Sequence, residues 1–492
     1  MSMKKTVCLL LALVLVLSLP ACKKKDPNQT IAVTVGTHEV TAAELNYYYV
    51  EMVNSFWKEY SYVISAMLDL TKPLNEQIFD QATGQTWADY FLQCSLDNVK
   101  STYALADAAE AAGFTLTKTQ TEMVDGVMQT LRQAATAAKL DVDAYMATLF
   151  GEGATLDSYQ TYYQRNLLAD SYYSHYFKSL QYNPNALQTH DAANPGRYDS
   201  YTFASYYLAV SKFLPAGKDH TAEQKDAALA ACKAAAESVA ANTYADVDAF
   251  NQALAGLEVL SDQKDVKATE YKEQLCVNLN AVYTAWLQDA TRFGGEADLL
   301  PATGKDGQVE GYYILRFGSK NDNRFLLKQA RHILVVPEGG TYNSITGMYD
   351  YSIREMAGAM VEAKDILQLW NDSPKKIEPT FAALADQHSD DRDVVGGLYE
   401  NIYPGLVSNA FSDWCYAENR KPGDVQIIES EFGCHIMYFI GDSTMTYRDF
   451  LITADLQERD TTAWFDILLQ QTAMTTLDLS LVELDMVLYN AE

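Results

Sequence analysis

Positive charge is scarce along this chain. Its 492 residues carry 37 Lys and Arg against 65 Asp and Glu, a formal net charge of −28 at pH 7. Phosphate backbones are held by clustered cations, and these few are spread out, so a nucleic-acid partner is not expected. The same acidity keeps the folded surface off anionic lipid headgroups. The cysteines are equally uninformative as ligands. Of Cys8, Cys22, Cys94, Cys232, Cys276, Cys415 and Cys434, no two form a CxxC pair. Neither a disulfide framework nor a zinc site follows, and no metal or cofactor is expected. From Thr86 to about Leu180 internal Gly and Pro are few, which excludes a loop-rich region there.

What is present is a chain too long for one core, 48% apolar with an ordinary charged fraction, hence several globular domains. Thirty-three tyrosines suit half-buried packing and amphipathic surfaces that hold segments of other proteins. The first residues form an address. Lys4 and Lys5 precede the apolar run Val7–Leu19, too short to span a bilayer. The run ends in Leu19-Pro20-Ala21-Cys22, which resembles the bacterial lipobox. That resemblance implies cleavage before Cys22, a diacylglycerol on its thiol and anchoring on the outer face of a bacterial cell membrane. Residues 22–30 then read as the lipidated cysteine and a polar tether.

The run Ile31–Val40 reads as a strand leading into Thr41-Ala-Ala-Glu44, a capping-box spacing that predicts a helix to about Tyr60. Apolar steps of three and four continue through Leu96, Val99, Tyr103 and on to Met123, Val127, Leu131. Asn183-Pro and Asn194-Pro-Gly196 punctuate the end of this block, which gives a helical domain over 31–195.

Beyond it the chain repeats. Ala204–Val210 aligns with Ala330–Val336, which sets Tyr206 against His332. Trp286, Arg292, Gly295 and Glu296 share their spacing with Trp414, Arg420, Gly423 and Asp424. Gly311–Phe317 aligns with Gly433–Phe439, which sets Tyr313 against His435. Three blocks in one order predict two α+β domains, 196–322 and 323–445, then a helical segment over 446–492.

The second copy carries a series of motifs: Ala330-Arg-His-Ile-Leu-Val335, Phe381-Ala-Ala-Leu-Ala385 with Ser389-Asp-Asp391, Gly396-Gly397-Leu398, Phe411, Gly423-Asp-Val425 and Phe432-Gly-Cys-His-Ile436. In this order they resemble the parvulin family of peptidyl-prolyl cis/trans isomerases. The layout with a helical part resembles SurA/PrsA-type foldases. The resemblance implies a catalytic group of His332, His435 and Asp391, with Asp390 and Asp393 standing close by, and a proline slot lined by Leu398, Val407 and Phe411. The family's Asp-Leu-Gly after the glycine pair is here Leu398-Tyr399-Glu400. The loop Pro337–Ser344 has no Lys or Arg, so preference for phosphorylated residues is not implied. The first copy, lacking both histidines, is implied to be inactive.

Two readings remain open on sequence. One is an extracytoplasmic isomerase and chaperone acting on X–Pro segments of unfolded exported polypeptides. The other is a non-catalytic holdase with a parvulin fold. A surface adhesin or solute-binding lipoprotein would need a ligand pocket or repeats of another type, and none is visible.

Overall fold

The computed structural model describes residues 25–486. The leader and Cys22 lie outside the described residues. Two compact units form: one from the N-terminal part to Leu180 together with Leu456 onward, the other from Gln181 to Asp455.

In the first unit β1 (Ile31–Val35) and β2 (His38–Thr41) make a hairpin. The single strand expected over 31–40 is broken at Gly36, whose φ of +57° lets the chain turn back. Thr41 caps α1 (Ala42–Tyr60) by accepting from the Glu44 amide. The reciprocal half of the box is missing, because Arg165 donates to the Glu44 carboxylate and so does the Tyr103 hydroxyl, at 2.8 Å. The helices α2 (Trp87–Ala111), α3 (Lys118–Ala137), α4 (Val142–Phe150) and α5 (Leu156–Ser179) follow. Three of them open on a threonine whose side chain closes a full box, as Thr86 does with Asp89. Consecutive Tyr47, Tyr48 and Tyr49 are all buried in this core. Burial is affordable for Tyr47 because its hydroxyl donates to the Thr155 carbonyl at 3.2 Å. The C-terminal segment completes the unit: Met474–Thr476 pairs antiparallel with β1, and Val482 enters the same core.

The second unit holds two four-stranded antiparallel sheets. The first comprises β3 (Ser200–Ala209), β4 (Thr269–Leu275), β5 (Ala297–Thr303) and β6 (Val309–Asn321). The second comprises β7 (Leu326–Val335), β8 (Leu398–Ile402), β9 (Val425–Ser430) and β10 (Gly433–Thr446). Both run in the spatial order second, first, fourth, third. The shared spacing has a physical basis. Trp286 Nε1 donates to Asp298 and Trp414 Nε1 to Gln426, each at 2.9 Å. Arg292 and Arg420 donate to the carbonyl of their own tryptophan and lie over its ring.

The strand register corrects the sequence alignment. His332 stands opposite Met437 and Leu334 opposite His435. In the first sheet Ser205 stands opposite Leu315 and Tyr207 opposite Tyr313. Ser205, not Tyr206, is therefore the counterpart of His332, while Tyr313 remains that of His435. Tyr206 points to the other face, onto the cluster around Cys232 and Ala236 of α7 (Ala222–Ala240). Alternation along a strand makes a one-residue slip exchange the two faces. Ser205 donates to the Tyr283 hydroxyl at 3.4 Å, and the Tyr283 ring meets Tyr313 edge-on, so this copy holds a serine and a tyrosine where the other holds its two imidazoles.

The unit boundary also departs from 195. Helix α6 (Pro184–Ala193) belongs with the second unit because Asp191 pairs with Arg324 and Arg448, and His190 with Asp455. Accordingly the stretch expected as a separate segment from 446 divides at Asp455/Leu456.

Among the described residues no helix is long and apolar enough to cross a membrane. Cys94, Cys232, Cys276, Cys415 and Cys434 are free thiols.

Candidate functional site

The central strands β7 and β10 bring His332 and His435 together on one face of the second sheet. Their Nδ1 atoms are 3.0 Å apart and their rings are near-parallel at 5.3 Å. Both side chains are buried, 3% and 4% exposed, which without partners would be costly. Each has a second partner. His332 Nε2 lies 2.9 Å from Asp391 Oδ2, and His435 Nε2 lies 2.7 Å from Ser430 Oγ at the end of β9.

With the Asp391 carboxylate an acceptor, the protons resolve in one direction. His332 donates from Nε2 to Asp391 and accepts at Nδ1 from His435 Nδ1–H. His435 then accepts at Nε2 from the Ser430 hydroxyl. Both imidazoles are neutral in this chain. Burial pushes both below their ordinary range, against the pull of Asp391. For His435 the neighbouring His332 adds to the effect, and the result is about 4.

The loop after α8 (Glu378–His388) decides which acid faces the histidines. Ser389 Oγ accepts from the Leu334 and Asp391 amides at 3.1 and 3.2 Å. The Asp390 carboxylate accepts from the Val336 amide at 2.9 Å, so it serves the strand edge. Asp391 is left to reach His332. Asp393 is exposed.

Phe411, on α9 (Asn409–Cys415), is buried with its ring 5.4 Å from His332 and 6.0 Å from His435. Val407 packs in the same cluster, with Met437. Leu398 does not line it. Its cross-strand partner is Arg331, so it shares the opposite face of the sheet, and the next residue, Tyr399, opposite Ala330, stands toward the histidines instead. The Tyr399 ring meets His332 edge-on at 4.9 Å, and its hydroxyl donates to Asp391 Oδ2 at 3.0 Å. Sequence reasoning missed Tyr399, Met437 and Ser430 as parts of this group. Tyr399 was visible as a departure after the glycine pair; nothing in the sequence marks Ser430. Among the described residues no cluster of His, Cys, Asp and Glu is arranged to hold a metal ion.

The burial of the imidazoles has a measurable consequence. A pKa depressed in the folded state means that the unfolded chain binds protons first as pH falls. For His435, the fall from its ordinary 6.5 to about 4 corresponds, at about 1.4 kcal/mol per unit, to about 3 kcal/mol. That stability is present above pH 6.5 and lost progressively toward pH 4, with His332 acting in the same direction. Denaturant unfolding between pH 7 and 4 should show this loss. A variant with both histidines replaced by asparagine should lack the excess slope, whatever its absolute stability.

Residues 312–441 match the family model described as the PPIC-type PPIase domain. The match begins within β6, spans the second α+β domain and ends within β10. No curated protein matches the chain. Among solved structures, the PPIase domain of TbPar42 aligns at 19% identity and a TM-score of 0.18, over 23% of this chain and 98% of that one. The peptidylprolyl isomerase PrsA of Bacillus anthracis aligns at 23% identity and a TM-score of 0.19, over 30% and 59%. This chain thus spans a little over half of that PrsA chain. The foldase protein PrsA of Lactococcus lactis aligns at 12% identity and a TM-score of 0.22, over 59% and 78%.

Proposed function

We propose that this protein is a foldase: a peptidyl-prolyl cis/trans isomerase coupled to a helical client-holding part, anchored through Cys22 on the outer face of a bacterial cell membrane. The observation that carries the reading is the hydrogen-bonded run Ser430–His435–His332–Asp391 beside the buried Phe411.

The chemistry asks for little more. Rotation about an X–Pro bond faces a barrier of roughly 18–20 kcal/mol set by amide resonance. No bond is made or broken and no proton has to leave. What lowers the barrier is a site that fits the twisted amide better than either planar form. Phe411, Val407 and Met437 supply an apolar seat for the proline ring. The neutral imidazoles, fixed at both nitrogens, supply a rigid polar floor that cannot reorganise around a planar amide, and hence act by shape and fixed dipoles rather than as acid and base. The hairpin that follows β7, Thr341–Asn343 with Met348–Asp350, offers no cation to a phosphate, which supports unphosphorylated clients.

The test is two-dimensional NMR exchange on unphosphorylated Ala-Pro peptides with the chain lacking its leader. We expect acceleration by the wild type, and loss of at least about tenfold in Phe411→Ala with the fold retained by circular dichroism. No acceleration by the folded wild type would leave the second reading, a non-catalytic holdase. What favours that alternative is Tyr399, a bulky ring where the family has leucine.

A further inference from the structure

Tyr399 is the one ring at this site that also carries a polar group into the histidine chain. We propose that Tyr399 is a positioning and specificity-determining residue of the isomerase site: its hydroxyl holds Asp391 on His332, and its ring narrows the proline slot. The proposal rests on the isomerase reading above.

Three observations carry it. First, one carboxylate oxygen, Asp391 Oδ2, takes both hydrogen bonds, from Tyr399 at 3.0 Å and with His332 Nε2 at 2.9 Å. Asp391 lies on a loop, and a flexible carboxylate is held in one rotamer only if a second donor fixes it. The donor has to remain protonated. Burial, and then the carboxylate itself, push the Tyr399 phenol up to about 12, so it donates at any working pH.

Second, the ring stands against the residues that would seat a proline. Its centroid is 4.9 Å from His332 at 86° and 5.5 Å from Phe411. Two aromatic rings and an imidazole therefore bound the same small volume, where a leucine would leave one wall open and mobile. Third, the residue is fixed from below. The strand pairing of Tyr399 with Ala330 places it on the face of His332. A small residue opposite lets the large ring lie across the site instead of standing off it.

The chemistry that such a slot selects is ring size. A five-membered pyrrolidine fits between flat walls; the six-membered ring of pipecolic acid adds one methylene. One methylene in a close-fitting apolar pocket is worth about 10- to 200-fold in discrimination. What Tyr399 is assigned is thus the preference for the five-membered ring of proline over its six-membered homologue.

The experiment separates hydroxyl from ring. Peptides ending in Ala-Pro-Phe and Ala-pipecolyl-Phe are compared by NMR exchange with the wild-type chain, Tyr399→Phe and Tyr399→Leu. The imidazole nitrogens are followed in parallel by long-range 15N spectra. For Tyr399→Phe we expect kcat to fall about tenfold with KM within about twofold, an unchanged preference for proline, and His332 moving from one tautomer toward a mixture. For Tyr399→Leu the preference should fall from above about tenfold to below about threefold. A Phe variant with wild-type kcat and tautomer spectrum would remove the positioning role. A Leu variant that keeps the full preference would remove the specificity role. If the wild type accelerates neither peptide, the isomerase reading fails instead. The tautomer spectra of the Phe variant and the relative binding of the two peptides, read from line broadening, then still decide the role of Tyr399.

Discussion

Gly397→Ala should destabilise the second α+β domain by about 3–5 kcal/mol and abolish its site. A Cβ at this position would lie 2.0 Å from the carbonyl oxygen of His332 and 3.1 Å from Ala385 Cβ. The first of these is backbone in the central strand and cannot swing away. Gly397 also has a φ of +62°, a conformation that adds about 1–2 kcal/mol for any residue with a side chain. Relief requires β8 to lift off β7, and β8 carries Tyr399. The variant should therefore lose both unfolding free energy and the single-tautomer spectrum of His332. Its neighbour provides the control. Gly396 has nearly the same φ, +60°, but a Cβ there meets the Arg331 guanidinium end at 2.7 Å and Ala382 Cβ at 3.1 Å with no backbone atom nearer than 3.6 Å, so Gly396→Ala should cost only the conformational part, about 1–2 kcal/mol. Urea unfolding of both variants checks the order; equal losses would mean that the close approach at His332 is not what the glycine serves.

Arg448→Met should cost the second unit a similar amount, about 3–5 kcal/mol, through a different mechanism. Arg448 is 6% exposed at the start of the helix Tyr447–Gln471. Its guanidinium donates to Asp191 at 2.6 Å, to Asp199 at 2.6 Å and to the Asp322 carbonyl at 3.0 Å. Its own amide donates to the Asn323 carbonyl at 2.7 Å. Removing the cation leaves two carboxylates at 15% and 4% side-chain exposure, with the more exposed Arg324 and Lys320 as their remaining cations among the described residues. Arg448→Lys keeps the charge without the fork and should recover less than half of the loss. The double variant with Asp199→Asn should be less damaged than the sum of the singles, since the unpaired charge is then gone. Calorimetric unfolding of the chain without its leader checks all three. Additive losses would show that the cluster does not act as one unit.

Neither variant was obvious from the sequence, and the reason differs. Gly396-Gly397 was legible as a motif, but what each glycine meets depends on which backbone atom the fold brings to it. Arg448 has no motif at all. Its partners come from α6, the start of β3 and the link between the repeats, segments up to 257 residues away.

The sequence by itself determined the pieces set by local chemistry. Thr86 and Asp89, Thr117 and Gln120, Ser352 and Glu355 start helices wherever they stand, because a cap satisfies amides within its own turn. The tryptophan and arginine spacings of both repeats are likewise local, each arginine reaching the carbonyl six residues before it. His332, His435 and Phe411 were legible as candidates because they stand inside an ordered series of motifs. The tertiary structure alone decided facing and partnership. A strand presents alternate residues to opposite sides, so sequence alignment without the cross-strand register put Tyr206 and Leu398 on the wrong faces, in place of Ser205 and Tyr399. The choice among Asp390, Asp391 and Asp393 fell to the one whose loop position reaches His332 after Asp390 is taken by the Val336 amide. Likewise Met474–Thr476 became a strand only because β1 offered it an open edge. Hydrogen bonds between distant segments depend on where the chain returns, and no local pattern of residues encodes that return.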